Sequence, residues 1–166
     1  GIETQKGWVH LLQQHLINNH PDYAVINASI SGETTAGALD RLPQLLRQYQ
    51  PSIVIIELGG NDGLRGFAIP KLRQNLNTLI EMSQAANAKV LLTGIRIPPN
   101  YGKRYTQLFF ESYSLSAAQY QIPLVPFFLD GIATKPHLMQ PDRVHPTDTA
   151  QPKILQNVLP YLNTIL

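Results

Sequence analysis

Cysteine is absent from this chain of 166 residues, which excludes a disulfide framework, a thiolate metal site and a cysteine nucleophile. Charge is sparse as well. Only 14% of the residues are Asp, Glu, Lys or Arg, the net charge is +2, and no basic cluster is denser than Gly102-Lys103-Arg104, so the electrostatic footprint of a nucleic-acid binder is missing. No stretch approaches the roughly 18 apolar residues of a membrane span. No signal peptide is legible, and the opening Gly1-Ile2-Glu3-Thr4 is compatible with a leader removed upstream. Nor does a Gly-Asp-Ser element occur anywhere. Ser29 and Ser31 lie in turns without the spacing of a nucleophile elbow, which leaves the chain with no marked hydroxyl nucleophile.

What is present suffices for a core, since 43% of the residues are hydrophobic and the length suits one domain over residues 1–166. Apolar periodicity alternates between helical and extended segments. Helices are expected from about Gly7 to Asn19, from Thr34 or Thr35 to Gln50, from Pro70 to Ala86, from Arg104 to Tyr120, and over the final residues from Ile154. Pro43 should kink or restart the second of these. Strands are expected at Tyr23 to Ile30, Ile53 to Leu58, Lys89 to Ile95 and Ile122 to Phe128. The run Ile53-Val54-Ile55-Ile56 reads as a parallel strand covered on both faces. This order calls for an α/β fold, a flavodoxin-like three-layer αβα sandwich around a central parallel sheet. Such sheets normally begin with a central strand, whereas this chain begins with a helix, so the first strand is expected to be missing from it.

Ligands in such folds bind at the carboxyl ends of the strands, and two glycine turns stand there. Gly59-Gly60-Asn61-Asp62 can aim the Asn61 amide at a developing oxyanion, while Gly60 lets a substrate approach the backbone. The same residues also suit a plain βα turn with an Asn or Asp cap. Ser31-Gly32-Glu33-Thr34 can offer the Gly32 N–H to the same oxyanion, or be a turn before a threonine N-cap. Near the C-terminus, Asp142-Arg143-Val144-His145-Pro146 places a carboxylate three residues before an imidazole. In that arrangement Asp142 orients the ring and His145 acts as general base. A loop ion pair is the alternative, and a metal site lacks a second His-rich segment. His10, His15 and His20 recur every five positions, which scatters them around a helix, and Phe109, Phe110, Phe127 and Phe128 suit a core better than an acyl pocket.

Read in order, Val25 to Thr34, Glu57 to Phe67, Pro99 to Tyr105 and Asp142 to Pro146 resemble the GDSL/SGNH-family hydrolases over nearly the whole chain. The resemblance implies hydrolysis of ester and thioester bonds of acyl substrates by a serine acyl-enzyme mechanism. It makes Gly32 and Asn61 the oxyanion donors, His145 the base and Asp142 its orienter. It assigns Gly60, Ile97 and Pro98 to the substrate groove and Gly63 to Ala68 to a mobile cover. The family serine belongs to a Gly-Asp-Ser-Leu turn, expected upstream of Gly1, and a chain without it should be nearly inert. No cofactor or metal is implied. The expected partner is a small acyl ester or thioester, with no nucleic acid, no stable membrane insertion, a monomeric state and a periplasmic or secreted setting. A carbohydrate O-acetylesterase, a non-catalytic acyl-binding domain and a flavodoxin-like cofactor binder are the competing readings.

Overall fold

The computed structural model describes residues 2–166; Gly1, after the expected nucleophile turn, lies outside them. The helices are α1 (Trp8–Asn19), α2 (Thr35–Tyr49), α3 (Gly60–Leu64), α4 (Ile69–Ala85), α5 (Lys103–Tyr120) and α6 (Gln151–Leu162). The strands are β1 (Ile53–Ile56), β2 (Lys89–Thr93) and β3 (Leu124–Val125). Two compact units contain them: Ile30–Phe127 with Tyr161–Leu166, and Phe128–Pro160 with the described residues up to Ser29.

The first unit holds the sheet. Its three strands run parallel in the order β1-β2-β3, with Ile53 opposite Lys89 and Leu92 opposite Leu124. The central strand β2 is buried at every position after Lys89, whereas β1 is an edge strand among the described residues, fully burying only Ile56. Ile53, Val54 and Ile55 are only half-buried, less than the expected covering of both faces. α2 packs on α4 and α4 on α5, so these helices form one layer on the sheet. Leu72, Leu76, Leu79 and Ile80 recur on one face of α4 and meet Val90, Leu92, Phe109 and Tyr113 in the core. The second unit buries Leu12 and Leu16 of α1, Ile154 and Val158 of α6, and Ile132. Trp8 meets the Phe128 ring edge-on at 5.5 Å.

The helices follow their sequence signals. Thr34 caps α2, its hydroxyl accepting from the Gly37 N–H at 3.2 Å. The helix then runs through Pro43 rather than breaking, with Leu39 and Leu42 packed against the core on its approach. Two strands depart from expectation. Tyr23 to Ile30 is no strand: it pairs with nothing in a ladder, and Ile26 and Ile30 are each 54% exposed. β-forming side chains stabilise a strand through cross-strand neighbours, and here none is available. The segment from Ile122 to Phe128 shrinks to Leu124–Val125 because Pro123 and Pro126 bracket it, and proline cannot donate to a ladder.

Candidate active site

The sheet unit places the two glycine turns side by side. β1 leads into Gly59, whose φ of +107° and whose closeness to Tyr113 exclude a side chain: a Cβ there would lie 2.3 Å from the Tyr113 hydroxyl. That hydroxyl donates to the Leu58 carbonyl at 2.9 Å, fixing the chain just before the turn. Gly60 then opens α3, and a Cβ on it would meet only Ile95, at 3.9 Å, so packing does not demand glycine there. Asn61 follows, half-buried. One hydrogen of its Nδ2 goes to the Glu33 carbonyl at 2.9 Å. An amide nitrogen carries two donors, and the second is free for a ligand.

Glu33 is itself held. Its carboxylate accepts from Arg41 Nε at 2.7 Å and from the Thr34 N–H at 3.2 Å. Just before it, Gly32 takes a φ of +77°, a left-handed value that glycine adopts without strain, inside a turn closed by the Glu33 N–H on Ile30 at 3.3 Å. The Gly32 N–H bonds to nothing among the described residues, and its carbonyl accepts from Arg65 at 3.3 Å. Gly32 and Asn61 are therefore joined through Glu33.

Beneath them lies a buried polar network that sequence reasoning missed. Asp62, 3% exposed, accepts from the Thr35 hydroxyl at 2.5 Å and from the Thr35 N–H at 3.0 Å. Asn75 of α4 donates to the Thr35 hydroxyl at 2.9 Å. The carboxylate thus satisfies an orphan donor at the start of α2, where negative charge is favoured, and ties three helices together. An acidic residue after Asn61 was the only signal for it, and that signal fitted a simple cap equally well.

Asp142 and His145 belong to the other unit, in a loop pinned on both sides. Gln140 N–H donates to the His145 carbonyl at 2.8 Å and Thr147 N–H to Leu138 at 2.8 Å. Arg143 takes a φ of +57° at the tip. Asp142 Oδ1 accepts from the backbone N–H groups of Val144 at 2.9 Å and His145 at 3.0 Å, and Oδ2 faces His145 Nδ1 at 2.8 Å. The His145 N–H, then its ring, then the Val144 N–H hold the Asp142 carboxyl well below the usual carboxylate range. Being ionised it can only accept, so Nδ1 carries the proton and Nε2 of the neutral ring is left as an acceptor. The ring is 68% exposed, open to a reacting partner.

The remaining expected site residues are placed as follows. Ile97 is buried, its Cγ2 2.7 Å from where a Gly63 Cβ would sit, and Pro98 is half-buried beside it. The segment from Gly63 to Ala68 is secured by two tyrosines of the following region: Tyr101 donates to Leu64 at 2.8 Å and Tyr105 to Phe67 at 2.6 Å. Phe109 and Phe128 are core residues, whereas Phe110 and Phe127 flank the Arg96 guanidinium, at 4.0 and 5.3 Å. Among the described residues no helix is long and apolar enough to cross a membrane.

Residues 1–151 match the model of the GDSL-like lipase/acylhydrolase family. Esterase TesA of Pseudomonas aeruginosa is 52% identical over 166 residues, which is all of this chain and 83% of that protein. A crystal structure of TesA, 52% identical in sequence, superposes with a TM-score of 0.97 over 100% of this chain and 92% of that one. The thioesterase 1/protease 1/lysophospholipase L1 of Escherichia coli is 49% identical over 131 residues, covering 79% of this chain and 63% of that protein. The psychrotrophic esterase EstA of a Pseudoalteromonas species, solved as an inhibited form with monoethylphosphonate, is 47% identical with a TM-score of 0.93, over 99% of this chain and 90% of that one. With its parallel sheet, its paired glycine turns and its Asp-x-x-His loop, the chain belongs to the GDSL-like lipase/acylhydrolase family, a family of serine ester and thioester hydrolases.

Proposed function

We propose that residues 1–166 act as one hydrolase domain that cleaves carboxylic ester and thioester bonds of small acyl substrates by two-step acyl transfer. The observation that carries this reading is the Asp142–His145 pair, at 2.8 Å through Nδ1 of a ring that is 68% exposed. A serine hydroxyl from the family's Gly-Asp-Ser-Leu turn, which this chain does not contain, attacks the acyl carbonyl carbon. His145 Nε2 takes its proton, and Asp142 stabilises the resulting imidazolium. The Gly32 N–H and the second Asn61 Nδ2 hydrogen receive the negative oxygen. The tetrahedral adduct collapses, the leaving alcohol or thiol takes the proton from His145, and water activated by the same ring releases the acid. Gly60, Ile97 and Pro98 line the acyl groove, and the segment from Gly63 to Ala68 covers it. The protein acts as a monomer in a periplasmic or secreted setting.

The test is the complete natural protein, assayed on aryl esters, acyl-CoA thioesters and a lysophospholipid, with intact mass and fluorophosphonate labelling in parallel. One stoichiometric adduct on a serine outside this chain, with hydrolysis that the label abolishes, is the expected result. Hydrolysis that survives full labelling, or labelling of Ser29 or Ser31, would remove the mechanism. Acetyl esters cleaved far better than longer acyl chains would move the substrate class to carbohydrate deacetylation.

A further inference from the structure

Charge is scarce over the chain as a whole, yet the stretch of sequence between Asp62 and Glu111 is strongly one-signed. Between Gly63 and Phe110 stand Arg65, Lys71, Arg73, Lys89, Arg96, Lys103 and Arg104, against Glu81 as the sole acid. α4 and α5 both start without an acidic residue in the first turn. Lys71, Lys103 and Arg104 instead occupy those starts, where cations meet the positive end of the helix dipole and are disfavoured. All three are exposed, and their side chains make no ion pair or hydrogen bond among the described residues. Folding leaves these cations unpaired, at positions local electrostatics disfavours.

Apolar surface accompanies them. Tyr101, Gly102, Lys103, Arg104, Tyr105 and Leu108 line an open groove of about 480 Å³. Leu108 is 36% exposed, and Phe67 is 43% exposed. The Tyr105 hydroxyl donates to the Phe67 carbonyl at 2.6 Å, which ties the Phe67 segment to the first turn of α5, where Lys103 and Arg104 stand. Aromatic and aliphatic side chains flanked by Lys and Arg match a lipid interface: the apolar groups enter the acyl boundary while the cations meet the phosphates.

We propose that this patch docks the protein peripherally on an anionic phospholipid surface, with Lys103 and Arg104 on lipid phosphates and Leu108 and Phe67 at the acyl boundary. Docking brings the cover segment to the membrane face, where acyl lipids are delivered without leaving the interface. The role of Phe67 in the cover rests on the hydrolytic reading above; docking, measured without turnover, does not.

The experiment is sedimentation of the complete protein with vesicles of phosphatidylcholine alone or with one part in three of phosphatidylglycerol. Wild-type protein is expected on the anionic vesicles only, and released by raised salt. Each basic residue near an anionic leaflet is worth roughly fivefold in partition, so K103E/R104E should lose at least about 25-fold. Its hydrolysis of a soluble neutral aryl ester should not change. The new carboxylates sit where the helix dipole favours them, which protects the fold. K103Q/R104Q, which removes charge without reversing it, should lose less, and L108S several-fold. Equal binding to both vesicle types, or anionic binding retained by K103E/R104E, overturns the proposal. Loss by the double variant of soluble phosphate-bearing esters, with vesicle binding intact, assigns the groove to free phosphate and overturns it too.

Discussion

Asn61 is aimed by the backbone carbonyl of Glu33 and His145 by the carboxylate of Asp142, and the surroundings of the two differ. Around Asn61 the supports reach far along the chain: Glu33 is 28 residues away, Thr35 is 27 from Asp62, and Asn75 is 40 from Thr35. They are also buried, Thr35 at 0%, Asn75 at 2% and Asp62 at 3% exposure. Around His145 every support except the loop clamps lies within three residues, and the ring and Asp142 side chain are 68% and 47% exposed. An oxyanion donor must keep its place while charge develops, and buried polar contacts give it rigidity. A base that moves protons needs solvent access and the right tautomer more than burial. Mutations in the two regions should accordingly fail differently, one in chemistry with the fold intact and the other in the fold itself.

The largest effect belongs to Asp142→Asn in the complete protein. An asparagine oxygen can still accept the Val144 and His145 backbone N–H groups, so the loop keeps its shape. Its Nδ2, however, donates toward Nδ1, which forces the ring proton onto Nε2 and abolishes the base. The kcat for an aryl ester should fall about 10⁴-fold, as a misplaced tautomer costs in serine-protease triads, while the thermal midpoint stays at the wild-type value. A lowered midpoint would show that the exposed loop is structural after all. The pH profile sharpens the point. A depressed carboxyl pKa gives a contribution present above the unfolded value near 4 and lost only as pH falls through the folded one. Asp142 therefore adds no acid limb at working pH, and its carboxyl carbon should show no titration step by NMR from about pH 4 upward.

Asn61→Ala comes next. Losing one oxyanion donor costs between about 10² and 10³ in kcat, and the same side chain holds the Glu33 carbonyl, so about 1 kcal/mol of stability should go with it. KM should hardly change, because the amide meets the oxyanion rather than the ground-state carbonyl. A loss confined to KM would make Asn61 a substrate clamp and leave Gly32 as the donor.

Distance along the chain also decides what could be read from the sequence. Asp142 and His145 share one loop, and the Gly59 to Asp62 turn follows an unmistakable apolar run, so the pairing of the first two and the position of the turn are legible from spacing alone. Helices were legible because caps and apolar periods are local: Thr34, Pro70 and the Leu72 to Ile80 stripe all act where they stand. β1 and β2 are legible from their apolar runs, but the other two strands are not, since a ladder needs a partner. Tyr23 to Ile30 has the composition of a strand but no ladder partner among the described residues, and Pro123 and Pro126 trim β3. Asp62, Thr35, Asn75 and the Arg65 contact with Gly32 are separated by tens of residues, and no local pattern announces such pairs. The two strand-end turns already suggest one shared oxyanion for Gly32 and Asn61, whereas their link through Glu33 is visible only in the fold.

Asp62→Ala tests the buried side of the contrast, with the smallest expected effect. It leaves the Thr35 N–H and hydroxyl without their acceptor in a region closed to water, and Asn75 bound to a hydroxyl that has lost its anchor. Unpaired buried donors cost about 1–3 kcal/mol each, and partial relaxation should bring the total to about 3 kcal/mol, roughly 10² in the folding equilibrium. Asp62→Asn should be milder, near 1 kcal/mol, because its carbonyl still accepts from Thr35 while its amide can donate to the Thr35 oxygen. Denaturant midpoints should thus order wild type above Asp62→Asn above Asp62→Ala, with kcat per folded molecule falling less than in Asn61→Ala. If Asp62→Ala unfolds no more readily than Asp142→Asn, burial is not what separates the two regions, and the oxyanion donors must be held by the Glu33 and Arg41 contacts alone.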